Sequence, residues 1–196
     1  MEASAGRQEL VSGAWSSDDR LGRTDSPPLE WSSPPVFQRL VNRRISGDED
    51  TGLLEWFASL WEDLPFDQAI SLGCSFCENE RRLIDLGVCR EIVCVDISAK
   101  ALLEAEKLKG DREMTFVVKD IESDPLPDGP YDAAFCFSSL HHISNLAAVM
   151  KGLYERMTPD APILVHEYVG PTRFQWQRQV CETANDIFRL LPERYR

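Results

Sequence analysis

The sequence predicts an α/β fold, a doubly wound and mostly parallel sheet preceded by helices. Three observations predict it. Short apolar runs at 69–72, 92–95, 114–119, 132–137 and 163–165 alternate with stretches of helical spacing. The first run passes through Gly73 into a charged, helix-spaced stretch from Glu78 to Leu86. Strand, tight turn and helix make the geometry of a nucleotide site, because the helix start offers N–H groups and the glycine leaves room. The next two runs end on carboxylates, Asp96 and Asp120, where a sheet of this class places its ligand groups.

Taken in order, residues 1–28 are rich in Ser, Gly, Asp and Pro without periodicity, and are expected to be disordered. Residues 29–65 form a helical extension. Val36, Phe37, Leu40 and Val41 give one stripe, broken at Gly47. Leu53, Phe57, Leu60, Trp61 and Leu64 give a second, ended by Pro65. These two helices either cover the sheet or form a lid over a ligand. Residues 66–196 hold the sheet domain. Strand one (69–72) leads through Gly73 to a helix closed by Gly87. Strand two ends at Asp96, and Ser98 caps a helix that stops at Gly110. Strand three ends at Asp120. The Pro-rich link 121–130 is short for a helical crossover. Strand four (132–137) precedes a helix ended by Pro159, and strand five starts at Ile163. Val180, Ala184, Ile187, Phe188 and Leu191 mark a last helix.

Composition narrows the function. With 196 residues and a net charge of −12, the chain is one domain with an extension and is a poor match for nucleic acid. No run of about 18 apolar residues and no leader-like segment occurs, so a cytoplasmic protein without membrane contact is expected. The six cysteines are expected to be reduced.

The turn after strand one departs from a dinucleotide fingerprint. Its later glycines are replaced by Ser75 and Cys77, so a pyrophosphate is poorly served. Asp96 follows Gly73 by 23 residues, the offset of an acid that accepts from ribose hydroxyls.

With these residues in view, the stretch from 66 to 196 resembles a class I S-adenosylmethionine-dependent methyltransferase, whose sheet is Rossmann-like. Ser71-Leu-Gly-Cys-Ser-Phe-Cys-Glu-Asn-Glu80 resembles the family's first motif, matching at Gly73, Cys74 and Glu80 but not at Ser71, Ser75 and Cys77. Val95-Asp96-Ile97-Ser98 resembles the ribose motif and Lys119-Asp120-Ile121 the adenine motif. Tyr131-Asp132 through Ser138-Ser-Leu-His-His-Ile143 resembles the fourth, beside the methionine part of the cofactor. The resemblance implies S-adenosylmethionine as cofactor, held by Gly73, Cys74, Ser75, Asp96, Ile97, Asp120, Ile121 and Ser138. Segments 42–47 and 167–176 resemble a bacterial branch linked to small-molecule and carbohydrate pathways. Members of the family usually end their sheet with two more strands, one antiparallel, whereas this sequence stops at Arg196; the resemblance thus implies either a fragment or a divergent member that completes its edge by association with a second copy or another subunit.

Several constellations compete. Cys74-x-x-Cys77 has no second cysteine pair, so no metal is expected. Adjacent His141 and His142 do not share a helix face. His141, His142 and Glu167 are the candidates for a general base, with Tyr168, Arg173 and Trp176 near the acceptor and Arg43 and Arg44 as a positive rim. The leading expectation is methyl transfer to a small-molecule acceptor. The alternatives are a weak or inactive partner subunit of the same fold and, on a related sheet, a nicotinamide-dependent oxidoreductase.

Overall fold

The computed structural model describes residues 34–170 and 175–193. The expectation for residues 1–28 and the role given to Arg173 lie outside them.

Five parallel strands form the described sheet, in the order β3-β2-β1-β4-β5. They are β1 (Phe66–Leu72), β2 (Cys89–Asp96), β3 (Glu113–Val118), β4 (Ala133–Phe137) and β5 (Ile163–His166). β1 is central, pairing Ala69 with Ile92 on one side and with Ala133 on the other. Both faces of such a strand are covered, and four consecutive residues, Ala69 to Leu72, are buried accordingly.

Alternation along the strands creates two cores. Ala69, Ile92, Cys94, Met114, Ala133 and Phe135 face one side. They pack with Leu54 and Phe57 of α2 (Leu53–Ser59), Leu83 of α3 (Glu78–Asp85) and Leu102 and Ala105 of α4 (Ala99–Leu108). Ile70, Leu72, Val95, Ala134 and Cys136 face the other side, against Val149 and Leu153 of α5 (Leu146–Tyr154). Leu126 and Tyr131 fill the rest of that face. The link from β3 to β4 thus seals its core through side chains without forming a helix, which resolves the short crossover.

The caps follow the local sequence. Ser98 Oγ accepts from the Ala101 N–H at 3.3 Å, and Asn145 Oδ1 accepts from the Ala148 N–H at 3.3 Å. α1 (Pro35–Ser46) ends on Gly47, whose φ of 85° needs the missing side chain.

Three elements differ from expectation. The second helix stops at Ser59, well before Pro65, because the chain turns back and brings the Trp61 ring within 5.4 Å of Phe66. α1 leaves Val36, Phe37 and Leu40 exposed and buries only Asn42, which donates to the Glu49 carbonyl. α6 (Arg178–Leu190) is amphipathic but buries none of its residues, since the described sheet ends at β5 and offers no further strand to cover. No described helix is long and apolar enough to cross a membrane.

α3 carries one acidic residue into the core. Glu80 is 1% exposed and its Oε1 lies 2.6 Å from Ser71 Oγ on β1. Burial, with the neighbouring Cys77 adding to it, pushes this carboxyl from 4.5 to about 8. The folded chain therefore holds a proton that the unfolded chain loses between those values. Its contribution to stability is full below 4.5 and is lost as pH rises toward about 8. The slope reaches at most about 1.4 kcal/mol per pH unit. Urea unfolding across that window should show stability falling with pH in the wild type, and a flatter profile in Glu80→Gln.

Candidate functional site

At the carboxyl ends of the strands lies a cavity of about 540 Å³. Its first wall is the turn between β1 and α3. Gly73, Ser75 and Cys77 all have positive φ, at 69°, 49° and 54°. The chain thus keeps a left-handed path at two positions occupied by L-residues, for which this path is strained. At Gly73 a side chain is excluded outright, since a Cβ would meet Ser139 Cβ at 2.5 Å. Ser139 is pinned there by its Oγ, which donates to the Leu72 carbonyl at 2.7 Å.

Three of the turn's donors are consumed internally. Gly73 N–H donates to the Val95 carbonyl at 2.8 Å and Cys77 N–H to the Cys74 carbonyl at 2.9 Å. Ser75 N–H donates to Asp96 Oδ2 at 2.7 Å. A diphosphate cradle needs such N–H groups to point at the ligand. This turn instead supplies shape.

Asp96, at the end of β2, accepts a second backbone bond, from Ser98 N–H to Oδ1 at 2.8 Å. Burial raises its pKa, while the bonds from Ser98 and Ser75 pull it down. Each oxygen keeps acceptor capacity toward the cavity, since a carboxylate has about four acceptor sites. Asp120, after β3, is 3% exposed and takes the Glu122 N–H at 3.1 Å. Ile97 and Ile121 supply apolar wall beside the two acids.

The far wall follows β4. Ser138, at φ 51°, donates its N–H to the His166 carbonyl at 2.7 Å, which carries the sheet bond to β5 one step further. Leu140–His142 form one 3-10 turn, and both histidines line the cavity with ring centroids 3.9 Å apart. Adjacent residues do not share a face of an α-helix, but so tight a turn lets both rings lean together on the wall. Behind them, Glu167 accepts the N–H groups of Ser139 and Leu140 on Oε1 and meets His141 Nδ1 with Oε2 at 2.7 Å. Burial alone would raise the Glu167 pKa; the His141 bond and the two N–H bonds outweigh it and hold it low. His142 is pushed down by burial and by His141, so it stays neutral at physiological pH.

Of the residues singled out from sequence, Gly73, Ser75, Asp96, Ile97, Asp120, Ile121, Ser138, His141 and His142 line this cavity. Cys74 does not. Its side chain is buried in the core below, because the left-handed turn directs it inward with Cys77 and Cys94. Glu167 stands behind the wall as an anchor. Neither Arg43 nor Arg44 is in the lining, and Arg43 pairs with Glu49 at 3.2 Å. Tyr168 and Trp176 meet edge to face at 6.1 Å. Glu122 was missed. It lines the cavity and its Oε1 accepts from Ser144 and Asn145 N–H at 2.6 and 2.9 Å. Its place two residues after Asp120 was the available signal.

The strain in the turn gives a paired expectation. Ser75→Gly should stabilise the fold by about 1 kcal/mol, because glycine adopts positive φ freely. Gly73→Ala should destabilise it by several-fold more and displace Ser139. Denaturant unfolding of both variants checks the contrast.

A protein-family profile described as a methyltransferase domain matches residues 70–165. No curated protein sequence matches the chain. Among solved structures, an S-adenosylmethionine-dependent methyltransferase from Mesorhizobium loti aligns at 22% identity with a TM-score of 0.51, covering 58% of this chain and 53% of its own. The N-methyltransferase NodS from Bradyrhizobium japonicum, in complex with S-adenosyl-L-homocysteine, aligns at 12% identity with a TM-score of 0.53, covering 81% and 71%. YcgJ from Bacillus subtilis aligns at 19% identity with a TM-score of 0.53, covering 69% and 57%. At these identities the likeness is one of fold, and the chain spans about half the length of the Mesorhizobium loti protein.

Proposed function

We propose that the chain, whose residues 70–165 match a methyltransferase-domain profile, is a class I S-adenosylmethionine-dependent methyltransferase that methylates a small-molecule acceptor with a proton to lose, deprotonated by His141. The observation that carries this reading is the His141–Glu167 pair on the wall of the cavity.

The residues present fit the cofactor. Two buried or half-buried carboxylates, Asp96 and Asp120, supply acceptors for hydroxyl and amino groups at the ends of neighbouring strands. Ile97 and Ile121 offer apolar surface for a flat ring, and Gly73 leaves the space a Cβ would fill. The cavity is of small-molecule size. The consumed N–H groups of the turn suit a ligand without a diphosphate and speak against the nicotinamide alternative. When bound, the cofactor supplies an electrophilic sulfonium methyl group.

The chain's own contribution is orientation and proton transfer. Glu167, fixed by two backbone N–H groups, holds His141 Nδ1 as the donor of their mutual bond. That tautomer leaves Nε2 as an acceptor for an acceptor molecule's proton. His142, held neutral by burial and tilted against it, adds a second weak base and a wall. Bringing nucleophile and methyl group together and keeping water out supplies most of the acceleration in such a reaction.

Calorimetry on the purified chain is the direct test. S-adenosylmethionine and its demethylated product should bind and NAD should not. Binding of NAD alone would overturn the reading. Asp96→Asn should weaken cofactor binding by about 1.5–3 kcal/mol, the range for a hydrogen bond to a charged group. With an acceptor in hand, His141→Asn and Glu167→Gln should lower turnover by about 10²–10⁴ with cofactor affinity nearly unchanged.

A second reading, a weakly active subunit of an assembly, is favoured by one observation. Among the described residues β5 is an uncovered edge, with Ile163 and Val165 exposed. Sedimentation of the pure chain, which would show association, separates it from an independent enzyme.

A further inference from the structure

Below the turn lies a group of side chains that methyl transfer does not use. Cys74 in the turn, Cys77 at the start of α3 and Cys94 on β2 place their three sulfur atoms within 4.8 Å of one another, and all three residues are buried. Two come from one C-x-x-C segment and the third from a strand 17 residues further on, so only the fold assembles the set. We propose that Cys74, Cys77 and Cys94 form a three-thiolate site for a thiophilic d10 cation of the zinc or monovalent copper class.

Three features support a ligand role over simple packing. Three sulfurs on one tetrahedral or trigonal ion stand about 3.8–4.0 Å apart for bonds of about 2.3 Å, so the cluster needs to contract by less than about 1 Å. Thiolate is the ligand these soft ions prefer. Cys77 holds φ 54°, a conformation unfavourable to a residue with a side chain, and thereby turns its thiol into the cluster. Each thiol that binds forms one sulfur–metal bond and releases one proton to solvent. Cys89 and Cys136 are equally buried yet have no such neighbours among the described residues, and serve as internal controls.

The test uses the full reduced chain after treatment with a chelator. Cadmium(II) is titrated in as the probe, and thiolate-to-metal charge-transfer absorption in the near ultraviolet is followed. One equivalent should saturate the band. Cys94→Ser should lose about one third of its intensity and at least tenfold in affinity, as expected for one of three sulfurs. Cys136→Ser and the exposed Cys181→Ser should leave it unchanged. Displacement of the cadmium band by zinc(II) or by copper(I) then tells which ion the site prefers. Absence of a band at one equivalent overturns the proposal, as does its loss in Cys181→Ser or its full retention in Cys94→Ser. Should Cys94→Ser fail to fold, X-ray absorption of the wild-type cadmium complex decides instead. Three sulfur scatterers sustain the site, and fewer overturn it.

Discussion

Ser75 N–H donates to Asp96 Oδ2 across the gap between the first turn and the end of β2. Much of the site depends on that bond. It holds the turn in its left-handed path, and it fixes the carboxylate while leaving its remaining acceptor sites for a ligand. The same turn presses Gly73 against Ser139, which is tied back to Leu72. Ends of β1, β2 and β4 are thereby locked into one rigid rim. A hydroxymethyl group at position 75 does not disturb this, because the bond is made by the backbone. Replacing a glycine here therefore keeps the geometry and costs strain, and it need not close the cavity.

Glu167 does for the other wall what Asp96 does for the first. It stands just beyond β5, and one of its oxygens gathers the N–H groups of the Ser139–Leu140 bend while the other takes the imidazole of His141. Both carboxylates are spent first on backbone. These two strand-end acids are thus tied to backbone before any ligand is met, which is why neither is well probed by alanine. Truncation would collapse the loop along with the interaction under study, whereas the isosteric amide keeps an acceptor oxygen in place.

Much of this was legible in the sequence. Alternating runs and stripes carried the number and mostly parallel sense of the strands, because apolar residues in runs of three to six have few other places to go in a doubly wound sheet. Asp96, Asp120 and the two histidines, singled out by their positions after strands, line the cavity. Other features were hidden for physical reasons. The early stop of α2 follows from a Trp61–Phe66 contact that no local pattern encodes. The inward turn of Cys74 depends on a left-handed backbone, and Cys94 joins it only through strand pairing. The stripe in the last helix was read correctly as helix, but a stripe says nothing about whether a surface exists to receive it.

The position of β1 has a consequence for the order in which the chain is made. β1, β2 and β3 leave the ribosome in sequence and pair as neighbours, so half of the sheet can zip from contacts about 23 residues apart. The other edge of β1 waits for β4, since Ala69 pairs with Ala133, some 64 residues later. Until then Ile70 and Leu72 lie on a strand with an open side and no α5 above them. Nascent chains therefore pass through an interval in which the central strand of the sheet is half-paired, the state in which chaperone capture and misassembly compete with folding. Closure of that interval also completes the rim, so the site comes into being in a single late event.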